Sequence, residues 1–343
     1  MNIQMVDLKG QYGKIRDEIN SEIQKVIDSA AFINGPKVKE FANNLSDYLG
    51  GTNVVPCANG TDALQIALMA LELQLGDEVI LPVHTYVATA EVIALLKLKP
   101  VFVDVDPDYF TIDVLQIENK ITNKTKAIVP VHLYGQCADM ETIMQIAEKH
   151  NLSVIEDTAQ AIGAKYTFSD GREAFAGTIG HMGTTSFFPS KNLGAYGDGG
   201  AMFVKDKALA EKCRMIANHG QSIKYHHDII GCNSRLDTLQ AAILDVKLKY
   251  LDNYSDARQK AAHYYNEKFK NISGIKTPAV SEKSTHVYHQ YTIVLDESIN
   301  RSDLQNHMKD QGIPTMIYYP VPLHKQKAYV GNGKGERFPV TEK

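Results

Sequence analysis

The sequence predicts an α/β protein. A large domain with a mostly parallel central sheet flanked by helices should come first, followed by a smaller C-terminal α+β domain. Three observations carry this expectation. Up to about residue 205, short apolar runs rich in β-branched residues alternate with helical stretches. Those runs are apolar along their whole length, as strands covered on both faces are, rather than alternating in and out. Beyond residue 205 the pattern changes to long helix-spaced runs and then a few short strands. We expect residues 1–240 to form the large domain, whose N-terminal segment can also pack with the small one, and residues 241–343 to form the small domain. A chain of 343 residues, 44% hydrophobic, has interior enough for that arrangement.

Taken in order, residues 14–49 read as helices broken at Asn34-Gly35-Pro36. The segment "NVVPCANGTDALQIALMALELQLGDEVILP" reads as strand, glycine turn, helix, Gly-Asp turn and strand. "PVFVDVD", "KAIVPVHL" and "LSVIEDTAQ" continue the strand pattern, with helices over 87–98 and 139–150. "KALAEKCRMIANHG" is a helix ending at Gly220, and the run from Ser234 to Phe269 reads as long and helical. Strand ("HQYTIVL"), helix ("RSDLQNHMKDQG") and the segment "IPTMIYYPVPLHKQ" follow. There is no internal repeat and no low-complexity segment.

The formal net charge of −4 and the lack of Lys/Arg blocks argue against nucleic acid as a partner. The four cysteines share no metal-ligand spacing, so we expect reduced thiols and no metal site. Residues 1–20 lack the apolar core of a signal peptide, and no window approaches 18 uncharged apolar residues. We expect a cytoplasmic protein without membrane contact.

In open α/β sheets, ligands bind beyond the carboxyl ends of the strands, so residues that directly follow strands are the informative ones. Asp157 ends "SVIED", where a buried carboxylate needs a cation or hydrogen-bond donors. Gln160, three residues on, fits a capping box or a ligand contact equally well. Asn59-Gly60-Thr61 joins a strand to a helix, where backbone N–H groups and a hydroxyl suit a phosphate, or where Thr61 or Asp62 simply caps the helix. His84 and Tyr86 follow "DEVILP", and such a ring can cover a flat ligand or pack as core. Lys191 stands in "TTSFFPSKNLGAYGDGG" with no charged neighbour until Asp198. An amine held in an apolar pocket loses proton affinity and becomes a nucleophile for carbonyls.

Each feature alone has an ordinary structural explanation. Together they match one cofactor. Pyridoxal 5'-phosphate needs an amine for its Schiff base, a carboxylate for its pyridine nitrogen, a phosphate cradle and a ring cover. Lys191, Asp157, Gly60 and Thr61 with Ser186, and Tyr86 supply the four.

At these residues the chain resembles the DegT/DnrJ/EryC1/StrS family of nucleotide-sugar aminotransferases, which are fold-type I enzymes using pyridoxal phosphate. The resemblance runs from "VDLKGQY" to "PVPLHKQ" and rests most on "CANGTDAL", "HTYVATAEVI", "VIEDTAQAIGA", "TSFFPSKNLGAYGDGGA" and "NSRLDTLQAAIL". It implies that Lys191 is the catalytic residue, carrying the cofactor and then moving the proton between substrate and cofactor carbons. It assigns Asp157 to the ring nitrogen, Gln160 to the phenolic oxygen, Tyr86 to the ring face, and Asn59, Gly60, Thr61 and Ser186 to the phosphate. Asn233 would reach the phosphate of a neighbouring subunit in a homodimer with shared active sites. Arg235, Tyr318, Tyr319 and His324 fall on the sugar-nucleotide side. The implied reaction takes an amino group from L-glutamate to a keto group of a UDP- or dTDP-linked sugar, for surface polysaccharide synthesis. The nearest motif likeness is to members acting on UDP-2-acetamido-3-keto-glucuronate. The alternatives are a dTDP-linked 3-keto-6-deoxyhexose, a 4-keto sugar, or a catalytically silent regulator on the same scaffold.

Overall fold

A computed structural model of the chain describes residues 3–329 and 335–343. Two helices come first, α1 (Leu8–Ser29) and α2 (Pro36–Tyr48), with Pro36 at the helix start that suits its fixed φ. Strands and helices then alternate: β1 (Asn53–Cys57), α3 (Gly60–Ala70), β2 (Glu78–Pro82), α4 (Ala88–Leu95), β3 (Lys99–Val103), α5 (Val114–Ile117), β4 (Thr125–Ile128), α6 (Met140–His150) and β5 (Ser153–Asp157). A hairpin of β6 (Lys165–Thr167) and β7 (Glu173–Phe175) leads to β8 (Met182–Ser186) and β9 (Gly200–Val204).

Seven of these strands form one sheet in the order β1-β9-β8-β5-β4-β2-β3. All neighbours from β8 across to β3 are parallel, and β9 alone runs against its two neighbours. The segments that follow β1, β2, β4, β5 and β8 therefore emerge at one end of the sheet. Register places Cys57, Gly200 and Ser186 side by side at that end. Both faces are covered, which is why β2 and β9 are buried at every position. Val79 and Leu81 pack with Leu64, Val92 and Ile216 on one face. Ile80 and Val154 pack with Ile117, Ile143 and Ile146 on the other.

The rest of the chain comprises α7 (Lys207–Ala217), a hairpin of β10 (Gln221–Ile223) and β11 (His226–His227), α8 (Thr238–Leu248), α9 (Leu251–Phe269), the pair β12 (Ile275–Lys276) and β13 (Val294–Leu295), and α10 (Arg301–Asp310). Two expectations need correction. The long helical run breaks between α8 and α9 at Lys249 and Tyr250. The strand expected in "HQYTIVL" shrinks to Val294–Leu295, and "IPTMIYYPVPLHKQ" holds no strand. Residue 240 lies inside α8, whose Ala241, Leu244 and Leu248 share a core with Phe41 and Phe187. Ile243 and Val246 of α8 pack on Ile15 and Ile19 of α1. A division at 240 would separate a helix from its own core, so we propose that the large unit ends between α8 and α9. No helix among the described residues is long and apolar enough to cross a membrane.

Candidate active site

Asp157, the last residue of β5, is 6% exposed. Its Oδ2 accepts from Thr89 Oγ1 at 2.8 Å and its Oδ1 from Ala159 N at 3.1 Å. Those donors satisfy the buried carboxylate and fix its direction. Thr89 lies in the first turn of α4, within the motif that holds Tyr86, but no local pattern marks it as a partner of Asp157. Glu156, one residue earlier, projects to the opposite face of the strand. It accepts from Gly177 N at 2.9 Å, Ile179 N at 2.7 Å, Gly180 N at 2.6 Å and His132 Nε2 at 2.8 Å. His132 Nδ1 accepts from Ala138 N at 3.1 Å, so the ring proton sits on Nε2 and the imidazole is neutral.

Lys191 projects from a closed turn that follows β8. Its N–H donates to Phe188 O at 2.8 Å, and Ala195 N donates to Phe187 O at 2.7 Å. Phe187 anchors the turn in the core, edge-on to Phe41 with centroids 5.5 Å apart, whereas Phe188 is exposed. A Cβ on Gly194 would overlap the carbonyl oxygen of Pro189. The Lys191 amine has no hydrogen bond or ion pair among the described residues. Burial pushes it down to about 8, against the pull of the Asp157 carboxylate, which favours the charged form.

Beside this turn the N-terminus of α3 meets the end of β8. Asn59 caps the helix, its Oδ1 accepting from Asp62 N at 2.8 Å, so the cap is Asn59 rather than Thr61 or Asp62. A Cβ on Gly60 would lie 2.7 Å from Ser186 Cβ, too close for any residue but glycine. The free first N–H groups of α3 and the Ser186 hydroxyl are thereby brought together.

Aromatic side chains wall the opposite side. Gln160 Oε1 accepts from Tyr134 N at 2.7 Å, and Gln160 Nε2 donates to the Tyr319 hydroxyl at 3.1 Å. The Tyr134 hydroxyl donates to Tyr318 O at 2.6 Å and lies 2.9 Å from His84 Nε2. Burial holds His84 down at about 4, despite Asp104, so its neutral ring donates to that hydroxyl. The Tyr86 ring, 58% exposed, lies 6.2 Å from that of Tyr319. His289 was not legible in the sequence. Burial, then the charges of Lys191 and Arg258, keep it well below the usual histidine range, and its Nδ1 has no partner among the described residues.

The structure thus brings Asn59, Gly60, Thr61, Asp157, Gln160, Ser186, Lys191, Tyr86 and Tyr319 to one end of the sheet, with Tyr318 beside them. His324 is turned elsewhere: its Nε2 pairs with Glu342 Oε1 at 2.9 Å, and its ring packs on Phe338. Asn233 and Arg235 line a separate cleft of about 460 Å³ with Ile33, Ala58, Gly197 and Asp198. Arg235 also borders a cleft of about 500 Å³ that holds Lys224, Tyr225, His219 and His227. Lys191 lines neither.

Comparison with known proteins extends these findings. The model of the DegT/DnrJ/EryC1/StrS aminotransferase family matches residues 13–343. The chain is 48% identical to a pleiotropic regulatory protein of Geobacillus stearothermophilus, over 100% of this chain and 91% of that protein. It is also 48% identical to the UDP-2-acetamido-2-deoxy-3-oxo-D-glucuronate aminotransferase of Pseudomonas aeruginosa, over 99% of this chain and 92% of that protein. Among solved structures, S. venezuelae DesV in complex with a ketimine intermediate superimposes with a TM-score of 0.94 at 38% identity, over 99% of this chain and 90% of that one. NtdA from Bacillus subtilis with bound cofactor PMP gives 0.88 at 36% identity, over 96% and 75%.

Proposed function

The chain belongs to the DegT/DnrJ/EryC1/StrS aminotransferase family, and from that premise we propose that it transfers an amino group from L-glutamate to the keto group of a nucleotide-linked sugar, using pyridoxal phosphate. The observation that carries this reading is the unpartnered, desolvated amine of Lys191, within the influence of the Asp157 carboxylate, on the loop that follows Ser186, where the Asn59–Thr61 junction closes on β8. Pyridoxal phosphate fits these residues: Gly60, which has no room for a Cβ, lets the α3 N-terminus close on Ser186, and the amine and carboxylate the cofactor needs are both present. The PMP bound to the B. subtilis neighbour, the amine form of the same cofactor, supports the assignment.

When bound, pyridoxal phosphate carries the amino group and accepts the electron pair released at the substrate carbon. The chain's own residues do the rest. Lys191 holds the cofactor through Nζ and, once released, moves the proton to and from the reacting carbons, its lowered proton affinity matching that task. Asp157, aimed by Thr89 and the Ala159 amide, keeps a proton on the ring nitrogen. The first amides of α3, with Asn59, Gly60, Thr61 and Ser186, bind the phosphate. Tyr86 would cover the ring, and Gln160 would meet the phenolic oxygen. Tyr318 and Tyr319 serve the sugar nucleotide, whereas His324, held by Glu342, is left out of that role and Arg235 could serve only from its own cleft.

Asn233 completes the phosphate site of a second copy, making a homodimer the working unit. Its support is the exposure of Ile33, Tyr225 and Ile230 on the segments around Asn233. The P. aeruginosa relative favours a UDP-linked 3-keto uronate as acceptor. The dTDP-linked 3-keto sugars and the 4-keto sugars are the alternatives. The regulatory relative raises a non-catalytic reading, which the buried amine and carboxylate disfavour because both are costly to retain without use. Purified protein incubated with pyridoxal phosphate should gain visible absorbance. With glutamate it should then aminate one member of a panel of UDP- and dTDP-linked 3-keto and 4-keto sugars, read by mass. No absorbance and no aminated sugar would end this reading.

A further inference from the structure

Helix α8 grips the segment after Lys191 at two points. Gln240 Oε1 accepts from Tyr196 N at 2.8 Å, and Lys247 Nζ donates to the carbonyl oxygen of Gly194. Lys247 is 1% exposed, with its amine 5.2 Å from the centroid of the Tyr196 ring. No carboxylate among the described residues pairs with it. Burial alone pushes this amine down to about 8.

A cation in such a place is expensive, because one carbonyl and one aromatic face replace only part of its hydration. Apolar side chains of similar volume commonly serve as well or better for stability. The partner it has kept is the carbonyl three residues beyond Lys191. The turn between them is closed by the Lys191–Phe188 and Ala195–Phe187 hydrogen bonds, and by the lack of room for a Cβ at Gly194. A shift of the Gly194 carbonyl therefore moves the backbone from which Lys191 projects.

We infer that Lys247 is a positioning residue for Lys191: anchored on α8, its amine fixes the Gly194 carbonyl and with it the turn that presents the Lys191 side chain. This rests on the function proposed above only in that Lys191 is the group that takes up pyridoxal phosphate. Donation to a carbonyl survives in either charge state of the amine, and methionine in its place keeps the volume but removes the donor.

The test is Lys247→Met, with Lys37→Met as the comparison. Lys37 lies on α2, and its amine is ion-paired to Asp245 of α8 at 2.8 Å, to Glu40 at 2.9 Å and to Glu22 at 3.1 Å. Lys247→Met should keep the wild-type far-ultraviolet circular dichroism and a thermal midpoint at or above that of the wild type. It should nonetheless gain visible absorbance with pyridoxal phosphate at least about tenfold more slowly, since small misplacements of a reacting group are costly. Lys37→Met should lower the midpoint and leave that rate alone. Lys247→Met protein that gains absorbance at the wild-type rate, or that no longer folds, overturns the inference, the second because the amine would then hold the fold and not the turn. Wild-type protein that gains no absorbance removes the proposed function and this inference with it.

Discussion

At the scale of single residues, Lys191 combines an amine that desolvation brings down to about 8 with a complete lack of partners among the described residues. Only the neutral amine attacks a carbonyl, and its fraction grows as pH rises toward the group's own pKa. The rate at which pyridoxal phosphate is taken up should therefore climb about tenfold per pH unit below 8 and level above it. Stopped-flow absorbance from pH 6 to 9.5 checks this; a climb that continues to pH 9.5 would mean an ordinary exposed lysine. Asp157, the Asn59–Thr61 junction and Lys191 stood out in the sequence because each ends a strand or lies in the loop after one, where position along the chain fixes position in space. Thr89, Glu156 and His289 were not, because their importance lies in partners that only the folded chain brings near. His324 sits in a matching segment, yet Glu342, 18 residues further on, takes up its ring nitrogen.

At the scale of elements, the buried Glu156 carboxylate ties β5 to the loop before β8 and, through His132, to the segment entering α6. Four donors converge on its two oxygens, two on each. Glu156→Gln puts an amide N–H₂ against two of them whichever way it turns. At about 1–3 kcal/mol for each buried group left unpaired, the loss should be about 2–6 kcal/mol. Urea denaturation reads it directly, and an unchanged midpoint would show that the four-donor site is not formed. The strands of the large sheet announced themselves because burial on both faces demands unbroken apolar runs. The later strands did not. "HQYTIVL" has the same look, but its partner offers only Ile275 and Lys276, so pairing stops after two residues. The boundary proposed after α8 was hidden for a related reason: α8 and α9 have similar helical spacing, and only packing against α1 and α2 shows which core α8 shares.

At the scale of the whole molecule, Asn233 and Arg235 line a cleft with Ala58, next to the Asn59–Thr61 junction, and Lys191 does not line it; the shared site proposed above is tested by mixing subunits. Mixing Lys191→Ala and Asn233→Ala subunits should restore activity in the heterodimers, with about a quarter of all sites intact when exchange is random, whereas each parent alone is inactive or nearly so. Activity no higher than the sum of the parents would place Asn233 outside the site. The antiparallel strand β9 carries one more consequence. It pairs with β8, next to it in sequence, and also with β1, the first strand of the chain. The hairpin that mounts Lys191 is thus a local structure that forms at little loop-closure entropy, whereas seating β1, and with it the Asn59–Thr61 junction, requires closing the longest loop in the sheet. A chain whose β1 has not yet seated on β9 therefore lacks the finished junction between α3 and β8, so tight uptake of pyridoxal phosphate would report completed topology.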